Sequence, residues 1–126
     1  MLMVADFFGN HDVSTLGELK EVLSRRAETL NANAFSMAPA DGEVPFLGIF
    51  VKNDQAVLQY IGSDSSELAI SQGKEPYGNA TFYETKGGGT IDFPMEAIVP
   101  MSVAVDAAVE FFNTQARPEC VRWLEI

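Results

Sequence analysis

The chain has 126 residues, 47% of them hydrophobic, and its 18 acidic side chains outnumber 8 basic ones for a net charge of −10. Such a length and apolar content predict one folded domain, residues 1–126, with a core of its own, and exclude a disordered or membrane-spanning chain. The acidity excludes a nucleic-acid binder, since its field repels phosphate backbones.

In chain order, Leu2 to Phe8 is an apolar run that predicts a first strand, and Gly9-Asn10-His11-Asp12 reads as a turn. No basic residue precedes that run and Asp6 interrupts it, so no signal peptide is expected. With a single cysteine the expected compartment is the reducing cytoplasm. Thr15 followed by Glu18 forms a capping box ahead of the helical stripe Leu16, Leu19, Val22 and Leu23. This predicts a helix from about Leu16 to Arg26, with Arg25 and Arg26 in its last turn, where cations suit the exposed carbonyls.

From Ala34 the apolar period becomes two. Phe35 and Met37 alternate with Ser36 before Pro39-Ala40-Asp41-Gly42 turns the chain. Phe46 to Lys52 and Gln55 to Ile61 read as a tight hairpin around Asn53-Asp54, side chains that tolerate positive φ. Glu67 to Ser71 is a short strand with Leu68 and Ile70 on one face. Thr81 to Thr85 and Thr90 to Phe93 flank Lys86-Gly87-Gly88-Gly89, a reversal between antiparallel strands.

The last quarter organises the rest. Ala104, Ala107, Ala108, Phe111 and Phe112 form one buried helical stripe, with Asp106 and Glu110 on the solvent side. Pro100 suits the helix start and Arg117-Pro118 its end. Glu119, Val121 and Trp123 then alternate with Cys120, Arg122 and Leu124, which predicts a closing strand and a buried, inert thiol. The fold class is α+β: a meandering, mostly antiparallel sheet of about six or seven strands, one face packed and one wetter, with an N-terminal and a C-terminal helix on it.

No constellation for catalysis stands out. His11 is alone, which excludes a histidine-based triad or a histidine-rich metal site. Gly87-Gly88-Gly89 lacks the helix and Lys-Ser/Thr of a phosphate cradle, and Asp54, Asp64 and Glu67 do not have calcium-loop spacing. The reading is therefore not an enzyme, with no catalytic residue, cofactor or metal. Two polar loops remain, Gly62 to Glu67 and Gly73 to Asn79. Their Asp64, Ser65, Ser66, Glu67, Glu75 and Tyr77, together with Tyr83 and Glu84, are the candidate partner-binding residues. Acid combined with tyrosine and serine suits a cationic protein cleft.

The end of the chain also carries a resemblance. Val99-Pro100, an alanine-rich helix into Glu110-Phe111-Phe112-x-Thr114, and Arg117-Pro118-x-x-Val121-x-Trp123 resemble the signature of the first-numbered immunity family of bacterial polymorphic toxin systems. Leu23 to Arg26, Ile49 to Val57 and Phe82 to Gly88 are similar to one branch, the inhibitors of double-stranded DNA cytosine deaminase toxins; Ser63 to Asn79 departs most from it. The resemblance implies a non-enzymatic inhibitor made beside its toxin, a deaminase or nuclease, and holding it inactive in the producing cell. Together with the charge, this predicts an acidic plug for the toxin's basic substrate cleft, with no nucleic-acid or membrane partner. An adaptor or chaperone for a secreted effector shares the acidity and the lack of catalysis, and a small α+β enzyme with an unrecognised cleft is a third reading.

Overall fold

The computed structural model describes residues 2–64, 66–73, 79–84 and 89–126. Its strands are β1 (Leu2–Asp6), β2 (Gly9–Val13), β3 (Ala32–Pro39), β4 (Phe46–Lys52), β5 (Gln55–Ile61), β6 (Leu68–Ser71), β7 (Asn79–Tyr83), β8 (Thr90–Pro94), β9 (Val99–Pro100) and β10 (Trp123–Glu125). Helices α1 (Leu16–Leu23) and α2 (Met101–Thr114) complete it, with a short 3-10 turn at Met95–Ala97. An eight-stranded sheet runs in the order β10-β6-β5-β4-β3-β1-β2, with β9 on the end of β5, and β7-β8 form a separate hairpin. Every strand pairing in it is antiparallel, as the α+β reading expects.

Both helices lie on one face. Ala104, Ala107, Ala108 and Phe111 of α2 are buried with Phe35, Leu47, Ile49 and Leu58 of the sheet, and Phe112 is half-buried beside them. The alanines let the helix axis approach the strands closely, and the phenylalanines fill the volume that remains. The opposite face is drier than its alternation predicted. The β7-β8 hairpin lies across it and forms a second core of Val57, Phe82, Phe93, Ala97 and Ile98. Phe93 meets Phe50 at a centroid distance of 5.0 Å and Phe82 at 5.9 Å. Lys52 donates to the Thr81 carbonyl and reaches over the Phe82 ring. The molecule therefore has three layers in its middle: helices, sheet and hairpin.

Local chemistry explains most elements. At α1 the Thr15 side chain accepts from the Glu18 N–H while the Glu18 carboxylate accepts from the Thr15 N–H, the reciprocal arrangement that the sequence predicted. The helix ends at Leu23, so Arg25 and Arg26 lie just past it. Arg26 still serves the exposed carbonyls, donating to those of Leu23 and Arg25 at 2.8 and 2.9 Å. Asn53, at φ 55°, makes the two-residue hairpin turn between β4 and β5.

Four expectations are corrected. Gly9 to Asp12 is strand β2 rather than a turn; the reversal comes earlier, where the Asp6 carboxylate accepts the Phe8 N–H at 2.8 Å and Gly9 takes φ 122°. As a largely solvated edge strand, β2 lacks the apolar alternation that would have marked it. In the closing strand only Trp123–Glu125 joins the sheet, because the Glu119 and Cys120 N–H groups donate to the Glu110 carboxylate instead of to a ladder. Cys120 is consequently exposed rather than buried, and Glu110 is half-buried rather than on the solvent side.

Candidate partner-binding surface

Several cations are committed to partners within the molecule, which leaves much of the acidic excess free at the surface. Arg117 pairs with both Glu67, at 3.1 Å, and Glu125. Arg25 pairs with Glu21 one turn away, while Arg26 and Lys52 spend their donors on backbone carbonyls. Burial lowers the Arg26 pKa, and the charge of Asp54 partly offsets that. Against these, Asp12, Glu28, Asp41, Glu43, Asp54, Glu84, Asp106 and Glu119 are all exposed. One acid has a different role. The Asp6 side chain is 0% exposed and accepts from Phe8 N–H and from His11 Nε2 at 3.0 Å, with Asn33 Nδ2 at 3.4 Å. His11, the sole histidine, is thus part of a polar network that ties β1, β2 and β3 together.

The predicted binding residues fall into separate places. In the turn between β5 and β6, Asp64 is exposed and accepts the Ser66 N–H at 3.0 Å, a bond that lowers its carboxyl pKa. Ser66 is exposed, and Glu67 is half-buried in its ion pair with Arg117. Tyr83 ends β7 half-buried, and the exposed Glu84 follows it. Glu84 borders a shallow depression of about 270 Å³ with Asp6, Phe7, Ser36 and Phe50. Ser65, Glu75 and Tyr77 lie outside the described residues. The two candidate loops flank β6 and so leave from opposite ends of that strand. Four residues of strand separate those ends by about 13 Å.

A larger groove, about 660 Å³, opens where β5, β9 and the start of α2 meet the chain leading into β10. Ile98, Val99, Val103 and Val121 give it apolar walls, and Asp54, Gln55, Gln72 and Arg122 a mixed rim. Cys120 also borders it. Partial desolvation, then a hydrogen bond to Glu110 and that carboxylate's charge, push the thiol pKa up to about 11. A thiol held protonated at neutral pH is a poor nucleophile. Among the described residues no group of three or more His, Cys, Asp or Glu side chains is placed to hold a metal ion. What this surface offers is charge and shape for another macromolecule.

Comparison with known proteins agrees. The family model for "Immunity protein Imm1" matches residues 9–125. This chain belongs to the Imm1 family. Among similar proteins, the double-stranded DNA deaminase immunity protein of Burkholderia cenocepacia (strain H111) is 37% identical over 122 residues, covering 96% of this chain and 97% of its own length. In the Imm1 chain the signature residues hold the C-terminal segment. Glu110 takes the amides of Glu119 and Cys120, Arg117 clamps Glu67 and Glu125, and Trp123 Nε1 donates to the Pro118 carbonyl at 2.8 Å while its ring packs on Tyr60. The sequence marked Phe111, Phe112 and Trp123 as core but missed Glu110 and Arg117. The available signal was the charged residue that opens each half of the motif, Glu110 before Phe111-Phe112 and Arg117 before Pro118.

Proposed function

We propose that this chain is an immunity protein that binds a secreted toxin domain of the double-stranded DNA deaminase kind and keeps DNA out of its active-site cleft. The observation that carries this reading is the 37% identity across 96% of the chain to a deaminase immunity protein. The electrostatics support it. An enzyme that acts on duplex DNA needs a cationic groove for the phosphates. A protein of net charge −10, whose arginines are largely committed to its own carboxylates and carbonyls, offers such a groove a competing set of negative charges. Inhibition by occupancy requires no turnover by the inhibitor. The proposed setting is the cytoplasm of the producing cell, where the toxin's DNA substrate lies; no described helix is long and apolar enough to cross a membrane.

The test uses the toxin domain encoded beside this chain. Co-expression is expected to restore growth that the toxin domain alone abolishes. The purified chain is expected to stop deamination of duplex DNA at a one-to-one ratio. Growth arrest that persists on co-expression, with deamination continuing under excess chain, overturns the proposal.

A further inference from the structure

Five large apolar side chains of the described molecule are exposed, and three of them, Leu68, Leu124 and Ile126, converge. The strand register shows how. Ile61 is opposite Leu68, Ile70 is opposite Leu124, and the Ile126 N–H donates to the Leu68 carbonyl at 2.9 Å. Partners across antiparallel strands point to the same side. Ile61, Leu68, Ile70, Leu124 and Ile126 therefore share the sheet face opposite the helices. On the helix face the neighbouring positions Tyr60 and Trp123 stack at 6.1 Å. The β7-β8 hairpin reaches Ile70 but leaves Leu68, Leu124 and Ile126 exposed at 38%, 47% and 70%. The patch also lies on an open ladder. β10 is the last strand in the sheet order, so its outer backbone edge faces no strand among the described residues. Proteins usually blunt such an edge with charge, proline or a bulge. Here β10 is short and carries one charge, Glu125, but Leu124 on it and Ile126 just after it are exposed. Asp64 stands exposed in the turn before β6, while Glu67 and Glu125 alternate with Leu68 and Leu124 and so lie on the helix side, paired with Arg117.

We infer that Leu68, Leu124 and Ile126, with the free edge of β10, form the apolar centre of the toxin contact, with Asp64 in the turn beside it, and that an extended, basic segment of the toxin domain occupies it. A compact apolar centre is the core of a specific protein interface. An unpaired strand edge adds backbone hydrogen bonds to whatever extended segment lies beside it. Charge complementarity selects a basic occupant over a second copy of this chain. A copy would bring another −10 against this one's −10. The inference rests on the toxin-inhibitor reading, and its test separates the two.

The test measures binding to a catalytically inactivated toxin domain, using the wild-type chain, a Leu68→Ser/Leu124→Ser double variant, and Leu16→Ser, an exposed leucine at the start of α1, as control. The double variant is expected to keep the wild-type melting temperature and to bind at least about 10-fold more weakly, through faster dissociation. The control is expected to bind like wild type. A double variant that binds like wild type, while wild type inhibits, overturns the patch assignment alone. Sedimentation showing a wild-type dimer that the double variant lacks also overturns it, in favour of self-association. A wild-type chain that does not bind the toxin domain overturns both readings.

Discussion

Asn33 shows what a single side chain can do in a sheet protein. It is fully buried, yet its amide oxygen accepts from Phe7 and Ala34 N–H groups, and its amide nitrogen donates to the Arg25 carbonyl. It thereby joins the β1-β2 turn, the segment after α1 and the start of β3. A buried polar group with all its partners is stabilising, whereas one without them is costly. Nothing in the run Ala32-Asn33-Ala34 announces this, because the Phe7 and Arg25 partners come from two other stretches of the chain. Cys120 makes the complementary point. Its neighbours in sequence are those of a core strand, but the Glu110 carboxylate draws its segment off the ladder. With its pKa raised from 9.0 to about 11, the thiol gives a clear pH signature. Alkylation at about pH 8 is expected to be about 100-fold slower than for an unperturbed thiol, and to recover in urea. The sign of the stability effect follows from linkage. Between pH 9 and about 11 the unfolded thiol ionises while the folded one stays neutral. Stability is therefore lost as pH rises through that window and is unaffected below it. A steeper fall of the melting temperature from pH 8 to about 11 for wild type than for a Cys120→Ser variant, in which Tyr60 still titrates, would show the effect directly.

At the scale of elements, the features read correctly are those whose causes are local. The capping box of α1, the Asn53-Asp54 hairpin and the alanine-phenylalanine stripe of α2 each depend on residues within about two turns of one another. The elements misread are those shaped by remote partners, β2 by its edge position and Glu119 to Arg122 by Glu110. Gly73 belongs to the second kind. It follows β6 on the rim of the large groove, where its N–H donates to the Glu96 carbonyl. A Cβ there would come within 1.8 Å of the Ile98 carbonyl oxygen. This close approach lets β6 and the segment entering β9 run side by side. Ser71, just before it, strengthens the same junction: its hydroxyl donates to the Ala97 carbonyl and accepts from the Leu58 N–H. Gly73→Ala is expected to cost about 3 kcal/mol and to lower the melting temperature by about 10 °C, as calorimetry would show. An unchanged melting temperature would mean that the junction is looser than these distances imply.

For the proposed contact the governing quantities are the net charge of −10 and one exposed apolar cluster. The solvent-accessible area is 6657 Å², and a standard interface takes roughly 800 Å² from each partner. About an eighth of the surface therefore suffices, and the patch at β6 and β10 with the turn before it is a compact way to supply it. If acidity steers the encounter, the association rate with the toxin domain is expected to fall at least about 10-fold as salt rises from about 0.05 to about 0.5 M. Dissociation, set by the apolar centre, is expected to change less than about 3-fold. Stopped-flow mixing at several salt concentrations measures both, and an association rate flat with salt would remove electrostatic steering from the mechanism. By itself the sequence determined the α+β class, the helix starts and central hairpin, and the family, since these rest on short-range patterns and on a motif contiguous in the chain. Only the tertiary structure decided which carboxylates are consumed by Arg117, Asn33 and the amides beside Cys120, and which remain to face a partner. It also decided that Leu68 and Leu124, 56 positions apart in the numbering, share one open face. Strand register and the sidedness of a sheet are set by pairing through space, and no local period records them.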